Sequence, residues 1–204
     1  MTPNKKIAIL LYRYFPYGGL QKDFLEIAKE LKSRGIIFKV FTRSWEGNIP
    51  EGFSVMQFGQ RGLTNYAKNK NFVKDSFEAL QRYKPDLVLG FNKMPGLDFY
   101  FAADTCFKKE ALNKNPITKF TRRFRQSIEF EAVIFESNES PEVFLLNNKQ
   151  AHDFKTSYQL NMDKMIVVPP GIDSNWNDHD PVDIHSVFNI QLEDKVSLFV
   201  GSDF

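Results

Sequence analysis

Ile7-Ala8-Ile9-Leu10-Leu11-Tyr12-Arg13-Tyr14-Phe15-Pro16-Tyr17-Gly18-Gly19-Leu20-Gln21-Lys22-Asp23-Phe24 is the stretch whose reading decides the fold. Its first five residues are apolar without polar alternation, as in a parallel strand buried on both faces. Tyr17-Gly18-Gly19 then breaks the chain. Leu20, Phe24, Ile27, Ala28 and Leu31 recur at helical spacing, with Lys22, Asp23, Glu26 and Lys29 on the opposite face. Gly35 stands where a glycine closes a helix. The stretch therefore reads as strand, turn, helix.

Downstream the rhythm repeats. Strands are expected at Phe38–Thr42, Phe53–Phe58, Leu87–Phe91, Phe99–Ala103, Val143–Leu146 and Met165–Val168. Helices are expected around Tyr66–Leu80, stopped before Pro85, and at Lys149–Tyr158. Ile117, Phe120, Phe124, Ile128 and Phe135 predict one long helix with an apolar stripe. The alternation predicts a doubly wound, Rossmann-like α/β sheet. The acidic stretch from Asp173 reads as a linker, and Val196–Val200 as a new buried strand followed by only Gly201-Ser202-Asp203-Phe204. The expected organisation is a Rossmann-like domain over 1–172, a linker over 173–195, and the first strand of a truncated second domain over 196–204.

With 42% apolar and 25% charged residues in 204, disorder is excluded for most of the chain. Apolar runs fall well short of the ~20 residues that span a bilayer. The single cysteine, Cys106, excludes an internal disulfide framework and a cysteine zinc cluster; with no adjacent base it reads as a buried thiol. The histidines lack metal-binding spacing, and His152 is expected on a helix surface. The expected compartment is the cytoplasm. Net charge is only +2, but Phe107 to Gln126 holds Lys108, Lys109, Lys114, Lys119, Arg122, Arg123 and Arg125 against Glu110 alone. That window is +6 on a remainder of −4, which points to an anionic partner surface, membrane or nucleic acid. Features that track phosphates or stack bases are absent elsewhere, so nucleic acid is not expected. Glu131 falls inside the apolar stripe, where it either pairs with a cation or points into a site.

Gly18 and Gly19 lie between a strand and a helix N-terminus, where a backbone can approach an anionic ligand or simply turn. The spacing is not G-x-G-x-x-G. Asp23 is either a substrate-binding carboxylate or a solvated partner of the helix dipole. Asn92 and Lys93 follow a buried strand, where ligands of open α/β sheets bind; the alternative is a polar turn set by Pro95 and Gly96. Asp104 ends another strand and either faces the same cleft or caps the next helix.

Together Tyr14–Phe24, Ser44-Trp45-Glu46-Gly47, Gly90–Asp98, Tyr100–Asp104, Pro169-Pro170-Gly171-Ile172 and Gly201–Phe204 resemble the lipopolysaccharide core glucosyltransferases of glycosyltransferase family 4. The resemblance implies the GT-B fold of two Rossmann-like domains, with this chain as the N-terminal half. It implies a retaining hexosyltransferase that moves glucose from UDP-glucose to an inner-core heptose, without a metal or other cofactor. It places the protein on the inner face of the inner membrane, bound to anionic lipid through 107–136. The first domain would hold the lipopolysaccharide core acceptor, and UDP-glucose would bind only with the second domain present. Asp104 and Asp23 match acidic cleft residues and are the candidate catalytic groups. Gly18, Gly19, Asn92, Lys93 and Gly171 are the candidate substrate contacts. The chain departs from the family by ending before its donor-binding basic pair and glutamates, and by Asn175-Trp176 where an Arg can stand. This fragment is therefore expected to be inactive; the alternative is a non-catalytic, membrane-bound carbohydrate-binding remnant.

Overall fold

The apolar run beginning at Ile7 becomes the central strand of the molecule. The computed structural model describes residues 5–112, 115–136, 140–158, 164–171, 183–191 and 193–197. In chain order its elements are β1 (Lys6–Tyr14), α1 (Gly19–Ser33), β2 (Ile37–Trp45), β3 (Ser54–Gln57), α2 (Asn65–Tyr83), β4 (Leu87–Gly90), β5 (Phe99–Ala102), α3 (Phe107–Ala111), α4 (Pro116–Lys119), α5 (Arg122–Phe135), β6 (Glu142–Leu145), α6 (Asn148–Tyr158), β7 (Met165–Val167) and α7 (Ile184–Phe188). The strands form one seven-stranded sheet in the order β3-β2-β1-β4-β5-β6-β7, and every pairing is parallel.

The pleat explains why β1 shows no alternation. Ala8 and Leu10 enter a core with Phe72 and Ala79 of α2, Ile134 and Phe135 of α5, and Phe154 of α6. Ile9 and Leu11 point to the other face, against Phe24 and Ala28 of α1. Both faces are covered, so every residue of the run must be apolar. The expected doubly wound sheet is borne out. Gly35, at φ +71°, closes α1: its N–H donates to the Lys32 carbonyl at 2.9 Å and that of Ile36 to Leu31 at 3.0 Å, a Schellman end that requires the left-handed conformation.

The long helix expected through Ile117–Phe135 is not one helix. Asn115 caps α4, its side chain accepting from the Ile117 N–H, with Pro116 at the first helical position. Thr121 then caps α5, accepting from the Phe124 N–H at 3.2 Å and donating to the Thr118 carbonyl at 2.7 Å. These local side-chain bonds compete with helix continuation and win. The apolar stripe is therefore broken: Ile117 and Phe120 are 77% and 76% exposed, whereas Ile134 and Phe135 are core residues.

The chain divides into two compact units, the first ending at Pro169 and the second running over 170–204. Among the described residues of the second unit, Asp183 caps α7 by accepting from the His185 N–H at 3.1 Å. Val196 and Ser197 are not in a strand. Most of the expected linker, and the rest of the expected strand from Leu198, lie outside the described residues.

Candidate functional site

The strand order reverses between β1 and β4, each leading to the same edge of the sheet. A crevice outside the carboxyl ends of the strands at that point is where ligands of such sheets bind. A cleft of about 420 Å³ opens there, lined by Tyr12, Asn69, Asn92, Asp104, Arg123 and Phe130 among others. Asn92, Lys93 and Asp104 thus line a single cleft.

Asn92 is held by the sheet itself, its Oδ1 accepting from the Tyr12 N–H at 2.7 Å. The Tyr12 hydroxyl donates to the Lys93 carbonyl at 3.2 Å. The ammonium of Lys93 pairs with Glu131 and donates to the Thr105 carbonyl at 2.8 Å; its side chain is 12% exposed. Arg43, buried beneath the cleft, donates to Asn69 Oδ1 at 2.7 Å and lies 5.0 Å over the Tyr12 ring. Burial raises the Tyr12 phenol well above its ordinary value, against the nearby Arg43 guanidinium, so Tyr12 is a neutral donor.

Asp104 does not cap the following helix. The first N–H groups of α3, those of Phe107 and Lys108, both donate to Glu131 at 2.8 Å. A carboxylate at that end also complements the helix dipole. The exposed Asp104 side chain has no hydrogen bond or ion pair among the described residues. Its backbone, by contrast, is fastened: Gln150 Nε2 donates to the carbonyls of Ala102 and Asp104, both at 2.7 Å. Cys106 is buried, its thiol pushed up chiefly by that burial, and His152 is exposed on α6.

Gly18, Gly19 and Asp23 stand at the start of α1 and do not line this cleft. The two glycines differ. A Cβ on Gly18 would meet Gln21 Oε1 at 1.8 Å and the Phe15 ring at 2.7 Å, whereas one on Gly19 would meet nothing within 4 Å. At Gly18 the Gln21 side chain and the Phe15 ring would have to move; Gly19 faces open space. Burial pushes the Asp23 carboxyl up, with Lys22 opposing. Gly171 belongs to the second unit.

The seven cations of the basic window separate. Lys108 binds Glu136 at 3.0 Å and lies 4.2 Å over the Tyr158 ring, and Lys109 pairs with Asp153. Lys119, Arg122, Arg123 and Arg125 are exposed and form no ion pair among the described residues. Arg123 also lines the cleft. Lys114 lies outside the described residues. No helix among the described residues is long and apolar enough to cross a membrane.

No family model matches the chain. One curated protein does, at 39% identity over 204 residues: lipopolysaccharide glucosyltransferase WaaG of Escherichia coli (strain K12), covering 97% of this chain and 54% of that protein. The chain is similar to the N-terminal half of a lipopolysaccharide glucosyltransferase. The crystal structure of WaaG, a glycosyltransferase involved in lipopolysaccharide biosynthesis, superposes with a TM-score of 0.83 at 36% identity, over 90% of this chain and 50% of that one. The family resemblance read from the sequence is borne out. The chain spans about half the length of the relatives it matches. The fold alone is shared with a glycosyltransferase from Rickettsia africae ESF-5, at TM-score 0.58 and 12% identity over 94% of this chain and 51% of that one. It is also shared with the lipopolysaccharide outer core galactosyltransferase WaaB, at 0.55 and 10% over 82% and 46%.

Tyr12, Asn69, Gln126 and Gln150 were not singled out from the sequence. The polar Gln126 and Gln150 sit in otherwise amphipathic helices, yet both are buried. At 100° per residue Gln126 lies opposite the stripe of Ile117, Phe120, Phe124 and Ile128, among the cations, so helical spacing held no signal for its burial.

Proposed function

We propose that this chain is the acceptor-binding half of a glycosyltransferase of lipopolysaccharide core assembly, which transfers glucose from UDP-glucose to an inner-core heptose with retention. The observation that carries the reading is the 39% identity to WaaG along almost the whole chain. The cleft supports it. Amides, a carboxylate with no hydrogen bond or ion pair among the described residues and the Phe107 and Phe130 rings suit a polyol ring, which offers hydroxyls at its edge and C–H groups on its faces. Asp104 would hydrogen-bond the acceptor, and Gly19 would let donor phosphates approach the start of α1. The donor site belongs to a second domain, so transfer by residues 1–204 alone is expected to be negligible. The reading assigns no metal and no other cofactor.

Lys119, Arg122 and Arg125 beside the exposed Ile117 and Phe120 would seat the enzyme on an anionic leaflet, at the inner face of the inner membrane. A second reading, a non-catalytic membrane-bound carbohydrate-binding protein, has one observation in its favour. The cleft lies wholly within the first unit.

The test joins this chain to the C-terminal half of the Escherichia coli relative. UDP-glucose and heptose-terminated lipopolysaccharide are supplied, and glucosyl transfer is measured. Transfer that Asp104→Ala abolishes while the melting temperature holds is the expected result. Acceptor binding without turnover in the folded chimaera favours the second reading. A folded chimaera that neither binds nor transfers refutes both.

A further inference from the structure

Glu131 is a carboxyl group 0% exposed to solvent, held by three other parts of the chain. It accepts from the N–H groups of Phe107 and Lys108 at 2.8 Å, from the Tyr158 hydroxyl at 2.7 Å and from the Cys106 thiol at 3.7 Å, and it pairs with Lys93. Capping α3 would need only the first two of these. The pairing with Lys93 calls for its own account, because a buried ion pair is a poor stabiliser compared with apolar side chains of the same volume.

What the pair supplies is direction. Lys93 sits on the loop after β4 with its ammonium at the cleft edge. Glu131 draws that ammonium inward, where it also donates to the Thr105 carbonyl at 2.8 Å. One residue earlier on the same backbone, Gln150 donates to the Asp104 carbonyl at 2.7 Å. Asp104 and Thr105 are therefore gripped from α5 through Lys93 and from α6 through Gln150. Between the two grips stands the side chain of Asp104, turned to the cleft without a partner of its own among the described residues.

We propose that Glu131 is a positioning residue for the cleft. By holding the Lys93 ammonium on the Thr105 carbonyl, it sets the direction in which Asp104 meets the acceptor sugar. The inference rests on the reading of this cleft as the acceptor site.

Glu131→Gln, Lys93→Met and the double variant test it. The probe is the inner-core oligosaccharide released from heptose-terminated lipopolysaccharide. Three quantities are read for each protein: the amide NMR shifts of Asp104 and Thr105, the oligosaccharide Kd well below the melting temperature, and the melting temperature itself. Either single change should move both amides and weaken binding about tenfold, and the double variant should be no weaker than the worse single, because both cut one link. A lower melting temperature with unmoved amides and unchanged Kd would overturn the proposal and leave Glu131 a helix cap. Losses in Kd that multiply in the double variant would overturn it as well. Lys93→Met decides alone if Glu131→Gln does not fold. If the parent chain binds no oligosaccharide, the acceptor reading fails, and the Asp104 and Thr105 amides still decide whether Glu131 orients them.

Discussion

Replacing Lys119 and Arg122 together by Gln should weaken binding to anionic vesicles about 30-fold, while the same replacement of Lys108 and Lys109 should change it little. Each double variant removes two positive charges, so net charge falls equally and only geometry distinguishes them. Lys119 and Arg122 are exposed, without an ion pair among the described residues, and flank the apolar Ile117 and Phe120. A cation at an anionic leaflet contributes about 1 kcal/mol. Two give about 2 kcal/mol, or about 30-fold at ~1.4 kcal/mol per decade. Lys108 and Lys109 carry Glu136 and Asp153 beside them, well within the Debye length of about 10 Å at 0.1 M salt, so each pair presents little field to a leaflet. The assay is co-sedimentation with phosphatidylcholine vesicles, with and without phosphatidylglycerol, at low and high salt. Phe120→Ser is the apolar arm. At 76% exposure the ring is mostly in solvent, so vesicle affinity should fall while the melting temperature holds. Equal losses from the two lysine and arginine pairs would refute the local argument in favour of net charge. Equal binding to neutral and anionic vesicles would refute the electrostatic argument altogether and leave α4 and α5 as a solvated face.

Three further outcomes can be checked by thermal or chemical denaturation, with one ligand-binding arm. Gly18→Ala places a Cβ 1.8 Å from Gln21 Oε1, so Gln21 must move off the Arg13 carbonyl it donates to at 3.1 Å, at a cost of about 1 kcal/mol, whereas Gly19→Ala meets nothing within 4 Å and should keep or slightly raise stability; lost UDP-glucose binding by Gly19→Ala in the chimaera with the C-terminal half of the Escherichia coli relative would then report a ligand. Burial raises the Asp23 carboxyl above its ordinary value, so the protonated form is favoured in the fold; the stability it contributes is full below the ordinary carboxylate range and lost as pH rises through the raised value. Asp23→Asn should therefore raise the melting temperature near neutral pH and leave it unchanged in acid below that range, and a variant less stable at neutral pH would refute the burial argument. Phe154→Ala removes a fully buried ring stacked 4.3 Å from Phe135 and should cost about 3–5 kcal/mol, measured by denaturant midpoint.

The sheet was legible because its causes are local. The unbroken apolar run Ile7–Leu11, the helical spacing from Leu20 to Leu31 and the left-handed stop at Gly35 each act within a few residues. Every strand expected in the first 169 residues is found, with boundaries shifted by a few residues. The family motifs were legible because they run in unbroken order through strand ends and the loops that follow, where core residues such as Phe24, Phe91 and Tyr100 stand beside polar ones. The failure in the basic window has a local cause that periodicity hides. Asn115 and Thr121 offer the backbone a cap at a position where a stripe of Ile and Phe argues for continuation, and the cap decides it.

What composition and spacing determined by themselves is therefore the sheet, its first helix and the charge of the window. Which cations of the window are engaged was left to tertiary structure, because Glu136 and Asp153 lie 28 and 44 residues away from the lysines they pair with. So was the role of Glu131. A carboxylate in an apolar stripe signals only that a partner exists. Its partner Lys93 is 38 residues distant, brought within reach when β4 and β5 pair and α5 packs across them. The cleft has the same origin: Tyr12, Asn92 and Asp104 come from three strand ends that parallel pairing places side by side, and no sequence separation encodes that adjacency.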